Sequence, residues 1–265
     1  MQVTQLQIFP VKSFAGLDVV SADVLPWGLA GDRRWGVVDA SGEPVTARER
    51  NSMLGFTAEP LADGGLLLSA GGGDPLRVDL PTDAPAIGVG HSRQGTAQSA
   101  GDEADEWLTA RLGESVRLIW QPDPRTRPVN PKHGGLPGEG LTLADAGPVL
   151  LTNEASLAQL DAWTDEATPA LDMRRFRPNV VVDGDVPFAE EGWSHVDVGG
   201  VRFRVASHCD RCVMTTIDPD TLTRGKEPIR TLAKHRRRDG KTWFGVRLVP
   251  TTTGMISVGD AANAR

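Results

Sequence analysis

The chain has 265 residues and a mass of 28.3 kDa, with 35 Asp and Glu against 28 Lys and Arg, a net charge of −7 and a pI near 5.3. That length and its 39% hydrophobic content suit one large core or two modest ones, and the acidic balance argues against a dedicated nucleic-acid or anionic-membrane binder. Two cysteines exclude a disulfide scaffold, and with no 18-residue apolar run and no basic-then-apolar leader the expectation is a cytoplasmic protein with no membrane segment.

Short β-like runs dominate the first hundred residues. Val3 to Phe9 alternates in polarity and stops at Pro10, and Val19 to Leu25, Trp35 to Val38, Leu66 to Leu68 and Leu76 to Val78 follow. Turn segments separate them, such as Ser13 to Gly16, Gly28 to Gly31 and Ala40 to Gly42. Many short strands at this spacing predict a sandwich or barrel rather than βαβ units. The first helix is predicted over Asp102 to Leu112. Ala104, Trp107, Leu108 and Leu112 share one face, acidic residues fill the first turn, and Gly113 ends it. Val116 to Trp120 then reads as a strand, and the proline- and glycine-rich stretch 121–140 as a long functional or partly mobile loop.

A second helix is expected near Asn153, a good N-cap, followed by Ala155, Leu157, Leu160 and Trp163. Strands return at Val180 to Val182, Val196 to Val198 and Val201 to Val205. Pro228 to Lys234 reads as a short helix with proline in its first turn. Val246 to Val249 and Met255 to Val258 close the chain, and no repeat of 20 to 50 residues is present. The fold class is therefore mainly β with several helices, in two modules divided between about residues 95 and 125.

Charge is uneven. From Arg202 to Arg247 there are 12 Lys and Arg against 5 Asp and Glu, a local +7, which leaves −14 for the remainder. The Arg236-Arg237-Arg238 run reads as a solvated face, or else as a pocket or docking surface for an anion or an acidic protein.

Cys209-Asp210-Arg211-Cys212 is the only cysteine motif. A structural zinc site needs four ligands, and no second pair exists. A dithiol redox motif belongs at a helix start in a βαβ setting, which the β-rich surroundings do not offer. Two small buried hydrophobes, or one thiolate acting as a soft ligand to a transition metal, are the remaining readings. Lys12-Ser13 ends the first strand in a turn, Gly31-Asp32-Arg33 precedes another, and Arg174-Arg175-Phe176-Arg177-Pro178-Asn179 puts three guanidiniums before a third. Each alone reads as loop charge. Together they suggest one anion site, if the fold brings them together.

The segments IFPVKSFAG, GLAGDRRWGVVD, GDEADEWL, LTNEASL, FRPNVVVDG, HCDRCVMTTIDPDT with KEPIRTL, and ISVGD run in order from residue 8 to residue 260. The chain resembles proteins that carry a MOSC domain, named from the molybdenum cofactor sulfurase C-terminus, preceded by a MOSC N-terminal β-barrel domain. It looks most like the amidoxime-reducing component branch. The resemblance implies two β-barrel-like modules, residues 1–115 and 116–265. It implies the molybdenum cofactor, a molybdenum held by a phosphorylated pterin dithiolene, with no haem, flavin or iron–sulfur cluster.

Cys212 would be the metal ligand and the catalytic position, with Cys209 a neighbour. Lys12, Ser13 and Arg33 would grip phosphate and pterin, and Arg177 and Asn179 would add hydrogen bonds. Asn153 and Ser156 occupy the matching helix-start segment, and Thr215 would line the site. The implied reaction is reduction of N-hydroxylated compounds such as amidoximes or hydroxylamines. Some relatives carry a fused iron–sulfur domain or a membrane anchor. Neither is read here, so a separate ferredoxin- or cytochrome-like electron donor is expected. The alternatives are a cofactor carrier or sulfur-transfer module without turnover, and a thiol-based redox or interaction module without metal.

Overall fold

The computed structural model describes residues 1–166 and 168–265. The chain is mainly β, with three α-helices among the described residues: α1 Asp102–Leu112, α2 Glu154–Ala162 and α3 Ile229–His235. The expected strands are present with adjusted edges, except that the run Val19 to Leu25 breaks at Val20 into two strands of different sheets, Leu17–Val19 and Ser21–Leu25. The last two long ones extend to Val201–Asp210 and Lys241–Pro250. Gly113 closes α1 in the left-handed conformation, and the Asn153 side chain accepts from Ala155 N to start α2. Both ends therefore follow from the local sequence. The stretch 121–140 holds only two 3₁₀ turns, Pro124–Thr126 and Pro131–His133, each capped by the side chain before its proline.

The largest sheet has nine strands. Its order runs Leu17–Val19, Val3–Ile8, Val180–Val182, Val149–Asn153, Lys241–Pro250, Val201–Asp210, His195–Val198, Ala262–Ala264, with Arg237–Arg238 attached to Lys241–Pro250. All pairings are antiparallel except Val149–Asn153 with Val180–Val182. A five-stranded sheet contains Trp35–Asp39 beside Val116–Trp120, and two three-stranded sheets complete the fold. The N-terminal strand thus belongs to the sheet built mostly from the C-terminal half, and Val116–Trp120 to a sheet of the N-terminal half. The two halves interlock and do not part at one point in the chain.

Two main cores result. One gathers Val3, Leu6, Ile8, Leu29, Val149, Phe203 and Leu248, and the other Val11, Phe14, Trp35, Met53, Phe56, Leu68 and Leu118. The chain crosses from the first to the second at residues 9–11 and again between Leu29 and Trp35. A third crossing runs from Leu143, packed on the five-stranded sheet, back to Val149. The crossings are stitched together: Arg33 N donates to Phe9 O (2.7 Å), Lys12 N to Trp35 O (2.8 Å) and Leu143 N to Arg33 O (2.8 Å). Lys12, Arg33 and Asp145 sit on these crossings, so the topology itself converges charge at the junction.

Candidate functional site

A cavity of about 130 Å³ opens at that junction. Lys12, Ser13, Arg33, Arg177, Asn179, Cys212 and Thr215, all expected from the sequence, line it. Lys12, Arg33, Arg48, Arg175, Arg177, Arg211 and Arg247 supply seven cations against two carboxylates, Asp145 and Asp210. In a chain of net charge −7 this concentration of positive charge marks a site for an anionic ligand.

Three lining residues adopt the left-handed conformation without being glycine: Ser13 (φ 73°), Arg33 (φ 48°) and Arg177 (φ 55°). Each costs about 1–2 kcal/mol relative to ordinary backbone, and such strain persists where surrounding contacts fix it. For Arg33 those contacts are explicit. Nη1 donates to Asp32 Oδ2 (2.7 Å) and to Asn179 Oδ1 (3.3 Å), and the guanidinium lies 4.3 Å from the Phe9 ring centroid. Asp32 is fully buried, and its Oδ1 accepts from Phe9 N and Asn179 Nδ2. Asn179 Nδ2 also donates to Gln7 O, and its Oδ1 accepts from Leu150 N as well as Arg33. With every side-chain hydrogen-bonding position engaged, Asn179 acts here by fixing Arg33.

The Arg177 guanidinium also lies over Phe9, 4.1 Å from its ring centroid. Its Nη2 is buried without a partner, and burial, then the Arg33 charge, pull its guanidinium down to about 9. Arg175 and Arg211 each bury an unpaired Nε in the same lining. Orphaned buried donors are expensive, and all three belong to guanidiniums that line the cavity, where an anion with several oxygens would offer partners.

The two cysteines differ. Cys209 is buried and Cys212 exposed, and both are free. Irregular register in Val201–Asp210, between His208 and Asp210, bulges the strand at Cys209 and turns the chain into the cavity. Arg211 Nη1 donates to Cys209 Sγ (2.9 Å) and Nη2 to Phe176 O (2.6 Å). Cys212 precedes the 3₁₀ turn Val213–Thr216, and Thr215 Oγ1 donates to Cys212 O (3.0 Å). Thr215 therefore fixes the backbone that presents Cys212. No group of three or more His, Cys, Asp or Glu side chains is arranged for a metal among the described residues, so a four-ligand zinc site finds no protein partners here.

Sequence reasoning missed Arg48 and Asp145. Asp145 pairs with Lys12 on one side and Arg48 on the other. The surrounding cleft walls push its carboxyl up although the side chain is open to solvent, and the Lys12 and Arg48 charges overcome this and hold it well below the usual carboxylate range. Lys12 Nζ also donates to Leu143 O (2.8 Å), and burial pulls the ammonium down against the opposing Asp145 charge. The Asp145 charge, outweighing burial and helped by the nearby Cys212 sulfur, holds Arg48 firmly protonated. Neither residue carries a local signal, since each reads as an ordinary loop charge.

Asn153 and Ser156 do not reach the cavity, a correction to the expectation. Both are fully buried. Asn153 caps α2 and donates to Val186 O (3.1 Å), while Ser156 donates to the Glu190 carboxylate (2.9 and 3.0 Å) and accepts from Phe188 N. Their polar atoms are spent on joining α2 to the 186–190 segment. The basic run divides as well: Arg236 and Arg238 both pair with Glu191, and Arg237 is exposed. No helix among the described residues is long and apolar enough to cross a membrane.

A family model described as the MOSC domain matches residues 138–263, and one described as the MOSC N-terminal beta barrel domain matches residues 1–115. Human mitochondrial amidoxime-reducing component 1 is 31% identical across 97% of this chain and 81% of its own length. The mouse protein of that name is 33% identical across 97% of this chain and 80% of its own. A zebrafish (Danio rerio) molybdenum cofactor sulfurase is 34% identical across 97% of this chain, which spans 34% of that protein. The cavity draws Lys12, Arg33 and Arg48 from the first matched region and Asp145, Arg177 and Cys212 from the second.

Proposed function

The chain belongs to the MOSC-domain family, with the family's N-terminal β-barrel domain, and on that premise we propose that it is a molybdenum-cofactor-dependent reductase of N-hydroxylated compounds. The observation that carries the reading is the exposed Cys212 thiol in a cleft lined by seven cationic side chains, Arg177 with its unpartnered Nη2 among them. This donor set fits the cofactor. A thiolate is a soft ligand, and guanidinium forks suit phosphate oxygens.

Cys212 Sγ would hold the metal. Lys12, Ser13, Arg33 and Arg177 would hold phosphate and pterin, with Arg48 beside Cys212. Asn179 and Asp32 orient Arg33, and Thr215 orients Cys212. A second apolar cavity shares Arg175, Arg177 and Met214 with the cleft, and Gln7, whose Oε1 is buried without a partner, lines it.

The bound cofactor would supply two-electron chemistry at the molybdenum. For an amidoxime the balance is R–C(NH2)=N–OH + 2 e⁻ + 2 H⁺ → R–C(NH2)=NH + H2O. The N–O bond breaks, its oxygen leaves as water, and a separate donor protein, of ferredoxin or cytochrome type, supplies the electrons. The chain's own residues bind and orient: the cations fix the cofactor's anionic groups, and the strained Arg33 and Arg177 backbones aim their guanidiniums before it arrives.

The test is reduction of benzamidoxime to benzamidine by molybdenum-replete protein supplied with dithionite-reduced viologen. Turnover supports the reductase. The match to one third of a molybdenum cofactor sulfurase favours a second reading, a cofactor carrier or sulfur-transfer module. A replete sample without turnover would favour it.

A further inference from the structure

Another cavity, an open groove of about 470 Å³, adjoins the cleft, and Asp210 and Arg247 line both. Arg247 Nη2 pairs with Asp210 Oδ1, and Lys241 Nζ reaches Asp210 Oδ2 (3.1 Å) from the groove side. Asp210 and Arg247 therefore border both spaces where they adjoin. Trp193 and Trp243, both half-buried, line the groove. Trp243 is held by Nε1 donating to Arg238 O (3.1 Å), with the His208 ring edge-on at 6.0 Å.

The remaining wall comes from the proline- and glycine-rich loop. Its Pro131–His133 turn presents Lys132 and His133 to the groove, and Lys132 has no ion pair among the described residues. Arg204 fastens that loop to the sheet by donating to Gly134 O (2.9 Å) and to the Glu139 carboxylate (2.7 Å). The groove mixes signs, so neither a polyanion nor a polycation is complemented. Two indoles with hydrogen-bonding groups around them complement a neutral planar ring that carries polar substituents.

We propose that this groove binds the planar aromatic or heteroaromatic body of the substrate between Trp193, Trp243 and the Lys132-His133 turn, and directs its N-hydroxyl group past Asp210 and Arg247 toward Cys212. The assignment rests on the reductase reading for the identity of the substrate and on the groove alone for binding. It makes the 131–133 turn and the two tryptophans the determinants of preference for aromatic over small aliphatic N-hydroxyl compounds.

Binding is measured without turnover, by titrating benzamidoxime into the oxidised molybdenum-loaded protein in the absence of any electron donor and following tryptophan fluorescence. Saturable quenching is expected. Trp193→Ala and Trp243→Ala should each raise Kd by roughly tenfold, the loss of one stacking face. Trp243→Phe should recover most of it, which separates lost stacking from misfolding. In turnover, both alanine variants should raise KM for benzamidoxime and leave KM for acetamidoxime unchanged. If quenching is intact but benzamidoxime is not reduced, the groove stands and the reductase reading falls. If Kd and KM are unmoved in both alanine variants, or wild type binds benzamidoxime no better than acetamidoxime, the groove assignment is overturned.

Discussion

Arg48 and Asp145, 97 positions apart in the chain, meet as an ion pair inside the cleft, with Lys12 on the far side of the same carboxylate. Asp145 thus serves as an internal counter-ion for two cations drawn from the N-terminal half. Replacing it with Asn leaves those cations facing each other. Because the carboxylate is open to solvent in the cleft, the expected loss is small, about 1 kcal/mol or a Tm drop of about 3 °C. Phosphate should substitute for the missing charge. Thermal melts of cofactor-free D145N should recover toward wild type on addition of inorganic phosphate; an equal phosphate shift in both proteins would contradict this.

Arg177 is half-buried, strained and incompletely paired. Arg177→Met removes a poorly solvated charge while keeping the apolar stem over Phe9. Cofactor-free protein should then melt higher, by roughly 1 kcal/mol of added stability, while molybdenum retained through purification falls. Calorimetry and metal analysis of one preparation read both effects. A variant less stable than wild type but equally loaded would show that Arg177 is structural.

Burial of Glu190 beside Ser156 sets a pH dependence away from the cleft. Burial raises the Glu190 carboxyl to about 7, against an ordinary value of 4.5, and no cation offsets it. The folded state therefore holds this proton more tightly than the unfolded state. Stability is greatest below pH 4.5 for this group, falls as pH rises toward 7, and stays reduced above it. Glu190→Gln keeps an acceptor for Ser156 and removes the ionisation. Its Tm should exceed that of wild type at pH 8 and approach it at pH 5, corresponding to roughly 3 kcal/mol at the higher pH. Parallel Tm-against-pH curves for the two proteins would refute the argument.

Gly134 carries φ +78°, and a Cβ there would stand 2.0 Å from Ala206 O. Gly134→Ala must displace the 131–133 turn or unfold it, at roughly 2 kcal/mol or more. Hydrogen exchange should quicken across residues 129–141 and stay unchanged in α1. Equal protection in both proteins would show that the loop is not fastened through this contact.

Local physics made much of this molecule legible in the sequence. The helix at Asp102–Leu112 has its acidic start and glycine stop written in adjacent residues, and strands such as Val180–Val182 are bare β-branched runs. Long-range pairing was not legible. Nothing near Val3–Ile8 says that it lies beside Val180–Val182, and only that pairing brings Lys12 to Asn179. Arg48, Asp145 and Arg247 look like any solvated charge until three chain crossings converge. Asn153 and Ser156 show the reverse case: a polar helix start that looked available is consumed by Glu190 and Val186. The residues alone singled out the cysteine pair and the Lys12, Arg33 and Arg177 segments, but the choice of Cys212 came from the family resemblance.

The most direct measurement is molybdenum per chain in protein purified from a host that makes the cofactor, for wild type, Cys212→Ala and Cys209→Ala. The account predicts stoichiometric metal in wild type, a loss of roughly tenfold or more in Cys212→Ala, and retention in Cys209→Ala. Equal molybdenum in wild type and Cys212→Ala would contradict the assignment of this thiol and the reading of the cleft around it.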